Sequence, residues 1–138
     1  MTETDPTLIV SERPGSQREI PLATLVDHPG ALPDASNIAS GRRGRAVPIR
    51  MLMSTDQPFV VASNAAGDYV ACIPTVDMIH GGHLLVGTPE EPLTDGEGGP
   101  MRLIVSEGAT LCWNVKHVAS LKGVPNRIPD SIPANPEH

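Results

Sequence analysis

The sequence predicts an α+β domain built mostly of short β strands, with a few short helices. Three observations lead to this class. The chain has 138 residues, the length of one ordinary domain. Thirteen glycines and 15 prolines interrupt it every few residues, so the elements between them must be short. The runs between these breaks are rich in Val, Ile and Leu, and short aliphatic runs favour strands over long helices.

Short apolar runs bounded by turn residues predict five strands. They are Thr7–Val10, Phe59–Ser63, Tyr69–Ile73, His83–Val86 and Met101–Val105. A further strand is expected within Trp113–Leu121, after an initial turn. The segment Asn64–Asp68 offers Gly67 for a positive φ, so residues 59–73 are predicted to form a hairpin. Because both runs of the hairpin are apolar on both faces, we expect it to lie centrally in a sheet rather than at an edge.

Two segments carry helix patterns. Pro21 lies near the start of Glu19–Asp27, and Pro48 lies in the first turn of Ala46–Met53, a position that proline tolerates. Residues 30–45, between the two segments, are small, polar and rich in turn residues, and they predict an irregular loop. Loops of this length in compact domains are usually functional or mobile.

The remaining segments are connections and a tail. Pro89–Pro100 is a turn-rich acidic link, and Val124–His138 holds four prolines without any periodicity. We therefore predict a single domain over residues 1–138, with a core of about 7–123. The proline-rich tail at 124–138 is expected to lie on the surface or to be disordered.

Charge and composition narrow the classes of partner. The formal net charge is -6, and an acidic chain is repelled by phosphate backbones and anionic lipids. Nucleic acid and membrane partners are therefore disfavoured. Phe59, Tyr69 and Trp113 are the three aromatic residues, so the core must be aliphatic and only modestly stable unless the chain forms a homodimer.

The chain carries no sequence signal for secretion or for a membrane span. Its polar start lacks a basic and an apolar region, and no stretch approaches the roughly 20 apolar residues that a membrane helix needs. Cys72 and Cys112 lie too far apart for a zinc-type cysteine pair. We interpret both as reduced thiols of a cytoplasmic protein, with Cys72 buried in a strand as a structural residue.

One block of the sequence resembles a known family. The residues Gly98-Gly99-Pro100-Met101-Arg102-Leu103-Ile104-Val105, followed by Trp113-Asn114-Val115-Lys116, are similar to the molybdopterin-binding domain of the sulfite-oxidase family. Upstream, Val47-Pro48-Ile49 and Leu52 resemble the start of a helix in that family. The resemblance spans roughly residues 7–122, and its specific part is 95–117. It implies a sulfite-oxidase-like fold and an oxidoreductase-like domain that binds molybdopterin.

The resemblance also implies roles for individual residues. Arg102, Asn114 and Lys116 would line the pterin or its phosphate, which requires cationic groups and free N–H donors. Simpler interpretations remain open: Arg102 could point to solvent or pair with Glu107, Lys116 could be a solvated surface residue, and Asn114 could cap a turn.

The chain differs from the family in the residues that would bind the molybdenum. The family's molybdenum-binding cysteine precedes the Val-Pro segment by about a dozen residues, where this chain has Pro33-Asp34-Ala35-Ser36-Asn37-Ile38. Hydroxyl, amide and carboxylate groups do not replace a soft thiolate. We therefore expect a non-catalytic protein that binds a small anionic or pterin-like ligand, or a partner protein. The alternative is a genuine molybdopterin-dependent oxidoreductase with atypical ligation through Cys112.

Two further motifs carry possible chemistry. The first is His-Gly-Gly-His, in which His80 and His83 could bind a divalent metal with Asp77 nearby. Alternatively, both could be exposed histidines of a turn, or His80 could face a cofactor. The segment Gly41-Arg42-Arg43-Gly44-Arg45 could grip an oxyanion through Arg43 and Arg45, or could be a solvated basic loop.

Overall fold

The computed structural model describes residues 6–37, 41–105 and 113–127. These ranges form a small α+β structure dominated by strands, which confirms the predicted class. The strands are β1 (Thr7–Ser11), β2 (Arg18–Pro21), β3 (Arg45–Pro48), β4 (Phe59–Asn64), β5 (Val70–Pro74), β6 (Gly82–Gly87), β7 (Arg102–Val105) and β8 (Val118–Val124). The helices are α1 (Leu22–Val26) and α2 (Thr75–Gly81), with 3-10 turns at Ala35–Asn37, Ile49–Met51 and Asp95–Glu97.

The described strands form two sheets. The larger has the order β2-β1-β8-β4-β5, and the smaller has the order β3-β6-β7. Strands β1 and β8 are parallel, whereas the other pairs are antiparallel, so the larger sheet is mixed. Strand β8 lies in the middle of this sheet, with Leu121 opposite both Val10 of β1 and Ala62 of β4.

A single aliphatic cluster joins the two sheets. It includes Leu8 and Leu121 from the larger sheet and Val47, Leu84 and Leu103 from the smaller one. All five side chains are fully buried. Burial of apolar surface between the two sheets is therefore what holds them together.

The predicted hairpin of residues 59–73 forms, but only β4 is central. Strand β5 lies at one end of the larger sheet, although Ala71, Cys72 and Ile73 are all buried. An apolar pattern on both faces reports that both faces are covered, and it carries no information about a second strand neighbour. Cys72 is buried in β5, as predicted.

The predicted helix at Ala46–Met53 is wrong. Ala46 and Val47 belong to β3 and pair with Leu85 and Leu84 of β6, and only the short 3-10 turn Ile49–Met51 follows. The residue before a proline is disfavoured in the α region, so Val47 adopts the extended conformation. The proline therefore ends the strand instead of starting a helix.

The predicted helix at Glu19–Asp27 is shorter than expected. Residues Arg18–Pro21 form β2, which pairs with β1, and α1 covers only Leu22–Val26. Pro21 is extended, with φ −63° and ψ 148°, so it precedes the helix. Pairing with β1 takes the first half of the segment into the sheet.

Helix α2 was not predicted, and it changes the interpretation of the His-Gly-Gly-His motif. His80 lies in the last turn of α2, whereas His83 lies in β6 opposite Ile104 of β7. The two histidines therefore belong to a helix and a strand, and not to one exposed turn. Pro74, followed by Val76 and Ile79 at a spacing of three, was the signal available for this helix.

The expected loop and tail are described only in part. Residues 38–40 and 128–138 lie outside the described ranges. Within the loop, Leu32 bridges Ala46, and the Ala35 N–H donates to the Gly44 carbonyl at 2.8 Å. Val124, placed in the tail by its sequence, completes β8.

Candidate functional site

A glycine-rich loop before β7 shapes the candidate site. Thr94 and Glu97 form a reciprocal capping box around a 3-10 turn, which ends at Gly98 with a φ of 87°. A Cβ on Gly99 would lie 2.3 Å from the Leu93 carbonyl oxygen, so only glycine fits there. The loop continues through a cis Gly99–Pro100 bond into β7.

Arg102 is the central residue of this region. It is only 3% exposed, so it does not point to solvent, and that interpretation of the sequence is wrong. Its Nη1 donates to the Glu97 carbonyl at 3.3 Å, while its buried Nε–H has no acceptor among the described residues. Burial and the nearby charge of Arg42 together lower the pKa of Arg102. A buried guanidinium with an unused donor is unusual, because such groups are normally paired.

Lys116 lies beside Arg102, with both side chains against Gly98. A Cβ on Gly98 would lie 3.0 Å from Arg102 Cδ and 3.1 Å from Lys116 Cγ. Lys116 is partly buried and makes no ion pair or side-chain hydrogen bond within the described part of the chain. Glycine at position 98 is therefore what allows two cationic side chains to meet over the loop.

His117 fixes the segment that carries Lys116. Its φ is 55°, which is uncommon for a residue other than glycine. Its N–H donates to the Gly98 carbonyl, and its Nδ1 lies 2.7 Å from the Gly99 oxygen and 3.7 Å from an Asp95 carboxylate oxygen. Because a carbonyl only accepts, Nδ1 must carry the proton. We call Arg42, Gly98, Arg102, Lys116 and His117 the Arg102 site.

Arg43 ties the arginine loop to the glycine-rich loop. Its guanidinium makes a two-pronged contact with Glu97, from Nε at 2.8 Å and from Nη2 at 2.7 Å, and it also donates to the carbonyls of Glu91 and Pro92. This pairing lowers the pKa of Glu97 to about 2. Both partners thus neutralise each other, and the role of Arg43 in ligand binding stays a prediction.

Arg45 is engaged elsewhere. Its Nη1 donates to the Val26 carbonyl at 2.6 Å and lies 3.5 Å from Asp27, next to helix α1. Its predicted ligand contact also stays a prediction. Among the three loop arginines, Arg42 is the one whose charge acts on Arg102, and the sequence offered no means of telling it from its neighbours.

Asn114 has a structural role in the described residues. Its Oδ1 accepts a hydrogen bond from the Val105 N–H at 2.9 Å, and Val115 and Leu103 exchange two backbone hydrogen bonds. The amide thus extends the pairing of its segment along β7. This pairing places Lys116 beside Arg102, so the hydrogen bond of Asn114 helps to fix the position of Lys116 in the site.

The stretch expected to hold a metal ligand has hard oxygen groups. Asp34 accepts hydrogen bonds from the Ser36 hydroxyl at 2.6 Å and from the Ser36 N–H at 2.9 Å, which lower the pKa of the carboxyl group. Ala35 is buried. Cys112 and Glu107 lie outside the described ranges, so their predicted roles as metal ligand and ion-pair partner stay untested.

Among the described residues, His80 and His83 have no third metal ligand near them. Within residues 6–37, 41–105 and 113–127, no three His, Cys, Asp or Glu side chains are grouped so that they could hold a metal ion. His80 is exposed, and His83 is partly buried with Nδ1 3.2 Å from the Gly81 carbonyl. Burial is the main cause of the lowered pKa of His83, with a smaller effect from Arg50.

Comparison with known proteins adds no assignment. No protein-family model matches the chain, and no curated protein matches it. Within the described residues, no helix has the length and apolar character to cross a membrane. The location of the protein and its oligomeric state stay predictions.

Proposed function

We propose that this chain is a non-catalytic relative of the sulfite-oxidase-type molybdopterin-binding domain that binds a small anionic ligand at the Arg102 site. The ligand would be phosphate-ended or pterin-like. The proposal combines the sequence resemblance in residues 95–117 with the environment of Arg102.

The single observation that carries the anion-binding part is the incomplete hydrogen bonding of the buried Arg102 guanidinium. Among the described residues its Nε–H has no acceptor, and its one hydrogen bond goes to the neutral Glu97 carbonyl. Burying a cation without a carboxylate costs free energy. An oxyanion would supply both the missing acceptor and the missing charge.

The neighbouring charges favour a multiply charged anion. Within the described residues Lys116 adds an ammonium group without an ion pair, and Arg42 adds a second guanidinium whose charge acts on Arg102. Glu97, a carboxylate of the same loop, is already bound to Arg43. A phosphate group accepts several hydrogen bonds and carries close to two negative charges, which suits this set of donors.

The described residues do not fit the metal half of a molybdenum cofactor. Residues 33–37 present no thiolate, and Cys72 is buried in β5. A molybdenum centre of this lineage takes a soft sulfur ligand from the protein. The proposal therefore assigns ligand binding to the chain and includes no oxidation or reduction step.

The test is calorimetric titration of the full-length protein with phenyl phosphate, with elemental analysis of the same sample. We expect binding, and we expect Lys116→Gln and Arg42→Gln each to raise the Kd about tenfold, as the loss of a charge-assisted hydrogen bond implies. Lys122→Gln and Arg13→Gln are the matched controls, because both side chains are exposed and outside the site. They should leave the Kd unchanged.

Three results would overturn the proposal. Stoichiometric molybdenum in the purified protein would make it a true cofactor enzyme. Absence of heat with phenyl phosphate and with inorganic pyrophosphate, or equal losses in the site variants and the controls, would remove the Arg102 site as the anion-binding region.

A further inference from the structure

A second concave region lies between helix α2 and the segment 50–57, on surface that the Arg102 site does not use. Its volume is about 730 Å³. Small-molecule sites commonly measure about 300–1,000 Å³, so the groove is large enough for a small organic ligand. Its lining consists of Arg50, Thr55, Asp56, Gln57, Thr75, Val76, Ile79 and His80.

One wall of the groove is an apolar stripe on α2. Val76 and Ile79 are three residues apart, so they lie on the same side of the helix. Val76 is 73% exposed, the higher exposure of the two large exposed hydrophobic residues in the described chain. Ile79 is partly buried against the core. The stripe would gain free energy by burial under an apolar ligand.

The other wall supplies an unpaired cation. Arg50 is exposed and makes no ion pair or side-chain hydrogen bond with any residue that the structure describes. Its charge also acts on His83, so the guanidinium creates a positive potential behind the groove. Asp56 also lines the groove, and it forms no ion pair with Arg50.

The other polar side chains of the groove are already occupied. The Thr75 hydroxyl donates to the Gln57 carbonyl at 2.6 Å, and the Thr55 hydroxyl donates to the Glu12 carbonyl. The Gln57 side-chain amide donates to the Asp56 carboxylate at 3.2 Å. Within the described residues, Arg50 and His80 are therefore the polar side chains of the lining that make no hydrogen bond. A single free guanidinium beside an apolar stripe complements one carboxylate on an apolar body.

We infer that this groove binds a small organic monocarboxylate, with its apolar body on Val76 and Ile79 and its carboxylate on Arg50. One guanidinium, with an acidic rim residue close by, favours a single negative charge over a phosphate group. The groove and the Arg102 site therefore select different anions, and binding at one does not require the other.

The test is a titration of the ¹⁵N-labelled full chain followed by NMR, with hexanoate and with hexanol as its uncharged match. We expect amide shifts centred on Val76 and Ile79, a Kd for hexanoate on the order of 1 mM, and binding of hexanol about tenfold weaker. Arg50→Gln should weaken hexanoate to the level of hexanol, and Val76→Ser should weaken both ligands. Both residues are exposed, so neither change should unfold the protein.

Arg13→Gln and Met51→Ser are the matched controls, because both side chains are exposed and neither lines the groove. They should leave both affinities unchanged. Equal affinities for hexanoate and hexanol, or shifts confined to other residues, would refute carboxylate recognition here. Concentration-dependent shifts at Val76 without ligand, with a dimer in sedimentation velocity, would assign the groove to a second copy of the chain and overturn the inference.

Discussion

Burial of the Arg102 guanidinium costs stability, and it leaves a hydrogen-bond donor available to an anion. The residue is almost completely buried, yet its guanidinium has no carboxylate partner within the described residues. A position of this kind is expected where a ligand, and not the fold, completes the hydrogen bonding. The glycines at 98 and 99 belong to the same arrangement, because a side chain at either position would displace the atoms around Arg102 or the loop itself.

Replacement of Arg102 by methionine is expected to separate these two properties. In Arg102→Met the apolar side chain retains most of the packing and removes the unpaired charge, so the free energy of unfolding should stay equal or rise by about 1–4 kcal/mol. Urea unfolding in phosphate-free buffer measures this change. Phosphate should then stabilise the wild-type protein and not the variant. A clear loss of stability in Arg102→Met would mean that the guanidinium is a structural group.

At the scale of elements, two loops depend on one ion pair. Arg43 reaches from the segment before β3 to Glu97 in the loop before β7, and these loops flank the smaller sheet. Gly44, next to Arg43, has a φ of 83°, and a Cβ there would lie 2.5 Å from Gly87 Cα. The close approach of β3 and β6 at this end therefore requires glycine, and it holds the arginine loop near Arg102.

The Arg43–Glu97 pair should make stability depend on pH in the acid range. The pKa of Glu97 falls from 4.5 to about 2 in the folded protein, mainly because of Arg43. The folded state therefore favours the charged form, and its contribution is complete above pH about 4.5 and lost as the pH falls to about 2. The urea midpoint of the wild-type protein should decrease over this window.

Variants of each partner separate the contribution of the Arg43–Glu97 pair from that of other carboxyl groups. In Glu97→Gln and Arg43→Gln the decrease between pH about 4.5 and 2 should be smaller, whereas Glu19→Gln, on exposed β2, should behave like the wild-type protein. If all four proteins lose stability in parallel, other carboxyl groups control the acid transition.

At the scale of the whole molecule, strand β8 links the larger sheet to the core and to the Arg102 site. It pairs with β1 on one side and β4 on the other, and its Leu121 lies in the cluster that joins both sheets. The segment just before β8 carries Lys116 and His117, so the strand that organises the core also sets the position of the Arg102 site. The proposed ligand binding would therefore depend on the same part of the chain as the stability of the core.

Truncation of the Leu121 side chain should therefore lower the stability of both sheets together. Leu121→Ala is expected to lower the free energy of unfolding by about 2–5 kcal/mol, the usual cost of a cavity in a core. Fluorescence of Trp113, the single tryptophan, and far-UV circular dichroism should report the same urea midpoint. Val76→Ala, at an exposed position, is the control and should cost much less. Two separate midpoints would show that the sheets unfold independently.

The strands that local sequence predicted are those whose runs are apolar by themselves, such as β4, β6 and β7. Strand β3 escaped prediction because its partner β6 is distant in the chain. Strand β2 escaped prediction because its pairing with the neighbouring β1 overrides a weak helix pattern. Helix α2 was not predicted because its C-terminal His-Gly-Gly-His segment has the composition of a turn. Local pattern is informative where burial and periodicity agree, and less so where long-range pairing decides.

For the site, the sequence by itself determined the set of chemical groups: a glycine-rich loop, a strand arginine, a lysine after it, and no cysteine in residues 33–38. Only the tertiary structure decided which charges remain unpaired. It engages Arg43 with Glu97 and Arg45 with Val26 and Asp27. Arg102 and Lys116 lie over Gly98 without a carboxylate partner among the described residues, and the charge of Arg42 acts on Arg102. The reason is physical: a residue type states what a group can bind, but burial and the neighbours brought by folding decide whether that capacity is already used.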